Sequence, residues 1–499
     1  MGIRSLLARP FASWVVSKQK NWMRFPGQAQ ESVFQNLMAK AADTSFGKDH
    51  GLKEVKTHAD FIRRVPIRDY EGLKDYVALV KEGKPDILWP GKPVYFAKTS
   101  GTTSGAKYIP ITKDSIPNHI QGARDALLNY VYHTGKAGFL DKKLIFLSGS
   151  PVLDSVGGIH TGRLSGIVNH HVPGYLRSNQ LPGYQTNCIE DWEEKLEKII
   201  DETLSQPMGL ISGIPPWVQM YFDRIQARTG KLIKDVFPDF SVFVYGGVNF
   251  EPYRKKLYDS IGKKVPGIEL FPASEGFFAF QDLPESEGLL LLLQAGIFYE
   301  FVPVEEYFSE SPTRLSIEEV ELGKNYALII NSNAGLWGYS IGDTVKFVSK
   351  KPYRLVVTGR IKHFISAFGE HVIGEEVEKA LQRTLEYHPE VSVSEFTVAP
   401  QVNPEEGLPH HEWWIEFAHP PANMPAFERR LDESLRRLNT YYDDLIEGKV
   451  LSTLVVNSLR PGSFQAYMKS LGKLGGQNKV PRLSNDRVLA EGLGKLQGG

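Results

Sequence analysis

The segment at residues 99–107, TSGTTSGAK, has the composition of an anion-binding loop. It follows the apolar run VYFA and precedes a stretch that predicts a helix from about residue 114. Glycines permit unusual backbone angles, so main-chain amides can point inward while the hydroxyl groups donate to phosphate oxygens. The Gly-Lys-Ser/Thr ending of a Walker A loop is missing. The composition therefore fits either a phosphate cradle or a solvated Ser/Thr-rich turn.

A second motif, FPASEG at residues 271–276, comes directly after a predicted strand. A carboxylate at the carboxyl end of a strand in an α/β sheet lies where ligands bind. Glu275 could hold Mg²⁺, which prefers one or two carboxylates together with phosphate oxygens, and Phe271 could stack on a flat base. A surface glutamate and a core phenylalanine would produce the same pattern.

Two further motifs follow, YSIGDTVKF at residues 339–347 and VVTGRIKHF at residues 356–364. Gly342 predicts a turn after which Asp343 presents an acceptor, and paired ribose hydroxyls are suitable donors to such a carboxylate. A Gly-Asp hairpin turn is the alternative. Arg360 could contact a nucleotide.

The fifth motif, GKLGGQNKVPRLSND at residues 472–486, contains Lys479 in a Gly-rich stretch with little else to pack. A lysine held there could reach a developing phosphoryl charge. The alternative is a solvated lysine in a C-terminal loop.

The remaining candidates for metal or nucleophilic chemistry are weak. His170–His171 and His410–His411 are adjacent pairs without a third and fourth ligand at a familiar spacing, so we do not expect zinc. Cys188 is the single cysteine; no motif surrounds it, and it can form no internal disulfide.

The pattern of apolar residues predicts a mixed α/β architecture. The first ~90 residues look helical, with breaks near Pro66 and Pro90. From Val94 short apolar runs alternate with amphipathic helices, which favours a largely parallel sheet flanked by helices. Residues 288–357 predict a mostly antiparallel sheet or small barrel, and a smaller α+β unit follows.

The bulk numbers set the remaining expectations. The chain has 499 residues, enough for about three domains. Lys plus Arg and Asp plus Glu each number 58, so no overall field steers the chain to nucleic acid or an anionic membrane. The N-terminus lacks a continuous apolar stretch of signal-peptide length, and we expect it to form a packed helix. The cytoplasm is the expected location.

Together, and in this order, the five motifs resemble those of the adenylate-forming superfamily, which includes acyl-CoA ligases, peptide-synthetase adenylation domains and luciferases. A closer similarity is to the Gretchen-Hagen-type acyl-acid amido synthetases, in particular bacterial-type members. The segments that carry it run from about residue 41 to residue 487: ADTSFGKDHG, GKPVYFAKTSGTTSGAKYIPIT, SAFGEHV, HEWWIEF and LGGQNKVPRLSND.

This resemblance implies a role for each matching residue. The phosphate loop would comprise Ser100, Gly101, Thr102, Thr103, Ser104 and Lys107. The remaining nucleotide-binding residues would be Gly246, Gly247 and Phe271 around adenine, with Ala273 and Ser274 beside them, Glu275 on Mg²⁺, Asp343 on the ribose, Arg360 on ribose or phosphate, Lys362 at the hinge, and Lys479 as the catalytic residue on the α-phosphate.

The resemblance also implies the domains: an N-terminal domain at 1–358 that binds ATP and the acid, a hinge at 359–366, and a smaller mobile domain at 367–499. The walls of the acid pocket are expected near His160, Trp217 and Val248.

The implied reaction joins two small molecules. ATP and Mg²⁺ would activate a carboxylic acid as acyl-AMP with release of pyrophosphate, and an amine, expected to be that of an amino acid, would then take the acyl group. An acyl-CoA ligase and a catalytically silent nucleotide-binding protein are the alternatives. We expect no nucleic-acid or membrane partner, and either a monomer or a dimer.

Overall fold

The computed structural model describes residues 2–495 except 103–104, 173, 248–249, 285, 362–363, 366, 371, 472–479 and 481. Residues 100–102, 105, 175–176, 216, 251–253, 255, 359–360, 364 and 373–375 are described by their backbone alone.

Helices dominate the first 90 residues, as predicted, and flank the sheets thereafter. They are α1 (Ile3–Arg24), α2 (Pro26–Ala41), α3 (Ser45–Asp49), α4 (His58–Arg64), α5 (Lys74–Lys81), α6 (Ile116–Thr134), α7 (Leu164–His170), α8 (Gly174–Arg177), α9 (Tyr184–Asn187), α10 (Trp192–Thr203), α11 (Pro215–Thr229), α12 (Ile233–Val236), α13 (Glu251–Ile261), α14 (Gly374–Tyr387), α15 (Met424–Leu438), α16 (Thr440–Glu447), α17 (Ser463–Ser470) and α18 (Val488–Lys495). In the part of the chain that is described, none of these helices combines the length and apolar character needed to cross a bilayer.

The strands begin only at residue 95. They are β1 (Tyr95–Thr102), β2 (Gly105–Ile111), β3 (Lys143–Phe146), β4 (Asp154–Val156), β5 (Ile159–Gly162), β6 (Gln180–Leu181), β7 (Met208–Ser212), β8 (Val242–Gly246), β9 (Gly267–Ala273), β10 (Gly276–Phe280), β11 (Leu289–Leu291), β12 (Ile297–Pro303), β13 (Asn325–Ser332), β14 (Tyr339–Lys350), β15 (Tyr353–Arg360), β16 (Phe364–Ile365), β17 (Val372–Ile373), β18 (Ser392–Gln401), β19 (His410–His419) and β20 (Val455–Leu459).

Eleven of the described strands form one sheet, in the order β12-β13-β14-β15-β11-β10-β9-β8-β7-β3-β6. The run from β9 to β6 is parallel, and the run from β9 to β12 is antiparallel. The direction changes where β9 and β10 are joined by two residues, because so short a connection can only link antiparallel strands. The antiparallel region predicted at 288–357 therefore extends the parallel sheet at its edge.

A second sheet has the order β2-β1-β5-β4. Strands β1 and β2 form an antiparallel hairpin in which Thr102 lies opposite Gly105. The 99–107 segment therefore lies at the tip of a hairpin, and β2 separates it from helix α6.

Two large apolar clusters make up most of the core. One joins the N-terminal helices to the antiparallel half of the large sheet, where Phe34 packs on Phe298 with ring centroids 4.9 Å apart. The other joins the helices of the parallel half to the C-terminal unit. That unit contains the sheet β18-β19-β20 and helices α14 to α18, in agreement with the predicted smaller domain.

Candidate nucleotide site

Glu275 lies in the tight connection between β9 and β10, at the edge where the parallel strands end. Helix α6 fixes this hairpin through Asn118. The Asn118 side chain accepts a hydrogen bond from Phe277 N at 2.7 Å and donates one to Phe277 O at 2.9 Å. Since both bonds go to the backbone of the hairpin, they hold Glu275 in place independently of its own side chain.

The Glu275 carboxylate contacts the YSIGD motif. The buried Tyr339 hydroxyl donates to Glu275 Oε1 at 3.3 Å. Burial, and then the charge of Glu275, raise the pKa of Tyr339 well above its ordinary value, so its hydroxyl stays protonated and can donate. Two motifs that are 64 residues apart in sequence thus meet at one carboxylate.

The backbone around Tyr339 is held by residues 68–70. Arg68 N donates to Gly338 O and Ser340 N donates to Arg68 O, both at 2.8 Å. This pairing places Arg68 beside Tyr339 as a parallel bridge.

Tyr70 connects the same segment to the β1–β2 hairpin, which carries the expected phosphate loop. Its buried hydroxyl accepts a hydrogen bond from Tyr108 N at 3.0 Å. Tyr108 directly follows Lys107, which lies opposite Thr99 in the hairpin. Through Tyr70 the hairpin is therefore joined to the neighbourhood of Tyr339 and Glu275.

Asp343 is buried within β14. The predicted turn at Gly342 is wrong: β14 continues through it, and Gly342 takes a φ of +85° where the pairing with β13 is irregular. An extra-residue bulge bends a strand and re-aims a side chain without ending the strand. Asp343 lies opposite Arg360 of β15 in register, so the third and fourth motifs are adjacent.

A buried polar network supports the residue that precedes Tyr339, and none of the sequence motifs predicts it. Both carboxylate oxygens of Glu300 accept from Arg314, at 2.9 and 2.6 Å, and Asn331 donates to Glu300 Oε2 at 2.8 Å. Asn331 Oδ1 in turn accepts from Gly338 N at 2.6 Å. The network thereby fixes the residue before Tyr339. In the sequence, the feature that could have indicated this network is Glu300, a single carboxylate in the otherwise apolar strand IFYEFVP.

The charge of Glu300 is maintained despite complete burial. Burial alone would raise its pKa, but the guanidinium of Arg314 and the hydrogen bond to His58 outweigh burial and lower the pKa to about 2. A paired, hydrogen-bonded charge can persist in the core, whereas an isolated one cannot.

The residues expected around adenine occupy the neighbouring strand ends. A Cβ on Gly246 would lie 2.3 Å from Leu270 O, so only glycine allows this approach of β8 to β9. Gly247 has a φ of +82°, which also favours glycine. Ala273 ends β9 and Ser274 follows it in the turn.

Phe271 differs from the other residues expected around adenine. It is buried in the core, with its ring centroid 5.1 Å from that of Phe278. Most of its ring surface is therefore already covered.

The residues expected to line the acid pocket lie on separate elements. His160 is an exposed residue of β5, with its ring 6.2 Å from that of Tyr95. Trp217 is in the first turn of α11, where its ring lies 4.7 Å from that of Trp192.

Several predicted site residues lie outside the described part of the chain: Thr103, Ser104, Val248, Lys362 and Lys479. For a second group the backbone is described but not the side chain: Ser100, Gly101, Thr102 and Arg360.

The C-terminal unit contacts the strand that leads into the 99–107 segment. The Tyr441 hydroxyl of α16 donates to Lys98 O at 3.1 Å. Asp444 pairs with Arg163 at 2.6 Å, and the Arg163 guanidinium lies 5.3 Å above the Tyr441 ring. These contacts join α16 to β1 and to the start of α7.

With this geometry established, comparison with known proteins gives a consistent result. The GH3 family N-terminal domain matches residues 15–180, its central domain residues 290–360 and its C-terminal domain residues 375–488. These matches cover more than half of the chain. The chain therefore belongs to the GH3 family.

Curated relatives extend over most of the sequence. An indole-3-acetic acid-amido synthetase of Arabidopsis thaliana is 22% identical, over 91% of this chain and 88% of the relative. A jasmonoyl–L-amino acid synthetase of Oryza sativa subsp. japonica is 23% identical, over 93% of this chain and 94% of the relative.

Solved structures show the same fold. The GH3.15 acyl acid amido synthetase in complex with 2,4-DB matches with a TM-score of 0.61 and 16% identity, over 97% of this chain and 96% of the other. A 2-hydroxyisobutyryl-CoA ligase matches with a TM-score of 0.58 and 14% identity, over 95% and 92%. The predicted family, fold class and enzyme class, an acyl-acid amido synthetase, are confirmed by these findings.

Proposed function

We propose that this chain uses ATP to join a small carboxylic acid to the amine of an amino acid. One observation carries the proposal: Glu275 and Tyr339 meet at one edge of the sheet, and Tyr70 links the β1–β2 hairpin to the segment that pairs with Tyr339, in a member of a family whose named relatives are amido synthetases. Ligands of α/β proteins bind at this edge, where the parallel strands end.

The first half-reaction forms an acyl-adenylate. A carboxylate oxygen of the acid attacks the α-phosphorus of ATP, the bond to the bridging oxygen breaks, and pyrophosphate leaves. The hairpin segment at 99–107 binds the phosphates, Asp343 accepts from the ribose hydroxyls, and Lys479 neutralises charge on the α-phosphate. Such chemistry needs positioning and charge neutralisation more than a strong base.

The second half-reaction forms the amide. The amine nitrogen attacks the acyl carbon, the bond from that carbon to the phosphate oxygen breaks, and AMP leaves while the nitrogen loses a proton. The catalytic cycle ends with an acid–amino acid conjugate, AMP and pyrophosphate.

The site fits a magnesium ion held with the nucleotide. Glu275 is partly exposed at the strand edge, and Tyr339 engages one of its oxygens. Among the described residues no cluster of three His, Cys, Asp or Glu could hold a metal by itself. Mg²⁺ needs only one or two carboxylates beside phosphate oxygens, and when bound it offsets the charge of the leaving pyrophosphate.

Each domain expected from the sequence has its own role in the reaction. Residues 1–358 bind ATP and the acid, residues 359–366 form the hinge with Lys362 as the pivot, and residues 367–499 deliver Lys479. A domain that closes over the adenylate would exclude water and protect the mixed anhydride from hydrolysis.

The test is ATP–pyrophosphate exchange with a panel of carboxylic acids, followed by mass spectrometry of products formed with pooled amino acids or with coenzyme A. We expect acid-dependent exchange and an acyl-amino acid product. Acyl-CoA formed without any amide would replace the proposal with an acyl-CoA ligase. Absence of exchange across the panel would support a silent nucleotide-binding protein.

A variant pair links this activity to the site. Glu275→Ala should lose most of the exchange, and excess Mg²⁺ should restore part of it. Glu287→Ala, at an exposed position farther along the same region, should exchange normally. Equal behaviour of the two variants would separate the activity from the proposed magnesium position.

A further inference from the structure

Helix α1 carries an apolar stripe on its solvent side. Ile3 is 77% exposed, Leu7 63% and Trp14 51%. With Leu6 and Phe11 they recur every three or four residues, which places them along one side of the helix. The rings of Phe11 and Trp14 stack on each other with centroids 5.7 Å apart, so the stripe is continuous.

The opposite side of α1 is already packed. Ala8, Ala12, Val15 and Trp22 are buried in the N-terminal part of the core. The start of the helix is anchored as well, because Gly2 N donates to Asp141 Oδ2 at 2.7 Å. The expected packed terminal helix is therefore present, and the exposed stripe is a second apolar face that the described fold leaves uncovered.

The charged side chains along this helix are all basic. Residues 1–30 contain five basic residues and no acidic residue. They are Arg4, Arg9, Lys18, Lys20 and Arg24. Within the described ranges none of the five forms an ion pair. Neutral groups accept hydrogen bonds from Arg4, Arg9 and Lys20, and Lys18 lies 3.8 Å above the ring of Trp14.

The positions of these cations relative to the stripe follow from helix geometry. At 100° per residue, Arg4 borders the stripe on one side and Arg9 and Lys20 border it on the other, while Lys18 falls within the stripe between Leu7 and Phe11. A helix with an apolar face bordered by lysine and arginine is typical of segments that lie in the plane of a membrane surface.

We propose that the outer face of α1 is a docking surface for an anionic lipid bilayer. The apolar side chains enter the boundary between headgroups and acyl chains, and the flanking cations contact lipid phosphates. A second copy of this chain fits less well, since a two-fold contact through this face would bring two sets of unpaired cations together. This inference revises the expectation of no membrane partner. That expectation was based on the zero net charge of the whole chain, which does not show that the first helix is both basic and apolar on its exposed side.

Co-sedimentation with lipid vesicles tests the proposal without any catalytic readout. The wild-type chain should bind vesicles of mixed phosphatidylglycerol and phosphatidylcholine, and bind vesicles of phosphatidylcholine alone more weakly. High salt should weaken the first interaction. The double variant Leu7→Ser/Trp14→Ser should bind the mixed vesicles at least about tenfold more weakly, because two large apolar side chains no longer insert.

Phe308→Ser supplies the matched control. Phe308 is 72% exposed but lies among the acidic residues Glu305, Glu306 and Glu310, so its loss should leave vesicle binding unchanged. Circular dichroism and ATP–pyrophosphate exchange in the absence of lipid should match the wild type for both variants, since the altered side chains are exposed and none of them is assigned to the nucleotide site.

Two results would overturn the proposal. One is a wild-type chain that does not sediment with the mixed vesicles, or a double variant that sediments as well as the wild type. The other is a wild-type dimer in sedimentation equilibrium that Leu7→Ser/Trp14→Ser converts to a monomer, since the stripe would then be an interface between copies.

Discussion

The two ends of the proposed nucleotide site are built differently. On the N-terminal side, Tyr339 and Asp343 lie on a strand of one continuous sheet and Glu275 lies in a turn of that sheet. Hydrogen bonds join the neighbouring backbone to α6, to Arg68 and, through Asn331, to Glu300. On the C-terminal side, the unit from which Lys479 is expected to act has its own sheet, and its helix α16 contacts β1. One side of the site is built on one continuous sheet, and the other belongs to a part that has its own sheet but shares an apolar cluster with the helices of the parallel half.

Each side also has its own buried carboxylate. Glu300 is held by Arg314 and Asn331, all within the N-terminal part. Glu370 lies 2.9 Å from His411 Nε2 and accepts from Phe368 N at 2.8 Å, all within the C-terminal part. Neither network crosses between the parts, so each one stabilises its own part, while the two parts also share an apolar cluster with the helices of the parallel half.

The largest expected effect, on stability, is on the N-terminal side of the site. Glu300→Gln leaves the buried guanidinium of Arg314 without its counter-ion, which typically costs about 3–5 kcal/mol of unfolding free energy. We expect a large drop in the urea midpoint, accompanied by loss of pyrophosphate exchange because Gly338 and Tyr339 shift. Glu310→Gln, at an exposed position, should change neither. Equal midpoints for the two variants would contradict the role of the network.

The Glu300 carboxylate also predicts how the free energy of unfolding depends on pH. The pKa of Glu300 in the folded chain is about 2, below its ordinary value of 4.5. A lowered folded-state pKa contributes stability above the unfolded value, and this stability is lost as pH falls through the folded value. The free energy of unfolding should therefore decline between pH 4.5 and about 2 more steeply in the wild type than in Glu300→Gln. Parallel declines would show that Glu300 is not the group that titrates.

The next largest effect, on catalysis, is expected on the C-terminal side of the site. Lys479→Ala should lower ATP–pyrophosphate exchange about 10²- to 10³-fold, by analogy with the loss of a donor to a developing oxyanion. The free energy of unfolding and ATP binding, measured by calorimetry, should stay close to the wild type because the N-terminal side of the site is untouched. Lys469→Ala, at an exposed position of α17, is the control and should exchange normally. Near-normal exchange in Lys479→Ala would remove that residue from the proposed mechanism.

On the N-terminal side, a smaller effect separates positioning from stability. Tyr339→Phe removes the hydroxyl that donates to Glu275, a hydrogen bond to a charged group worth about 1.5–3 kcal/mol. We expect a higher Mg²⁺ requirement for exchange and a modest loss of stability. Tyr326→Phe removes a buried hydroxyl that accepts from Glu321 N, away from the site. It should lose stability without changing the Mg²⁺ requirement, and an identical Mg²⁺ response in both variants would contradict the role of Tyr339.

The sequence predicted the position of a candidate residue in the fold where the deciding signal was local. Glu275 was placed correctly because a strand followed by a short turn fixes its position at the sheet edge. Asn118 and Glu300 were missed because what they hold is distant in sequence: Asn118 bonds Phe277, 159 residues away. No spacing rule indicates such a contact before the fold is known.

Two other features show why local patterns can be ambiguous. Gly342 was read as a turn, but a glycine with positive φ serves a bulge inside a strand equally well. Helix α1 has apolar residues on two sides, and periodicity alone does not indicate which side the core covers.

The smallest effect concerns the contact between the two parts. Asp444 and Arg163 form an ion pair whose side chains are 52% and 43% exposed, and such a pair contributes at most about 1 kcal/mol. Asp444→Asn should leave the unfolding free energy unchanged but shift the ratio of pyrophosphate exchange to amide formation by up to about fivefold, because only the contact between the parts is weakened. High salt should abolish the difference from the wild type. Asp443→Asn is the control, since Asp443 pairs with Arg436 inside the C-terminal unit. If both variants shift the ratio equally, the contact of α16 with β1 and the start of α7 does not govern the balance between the half-reactions.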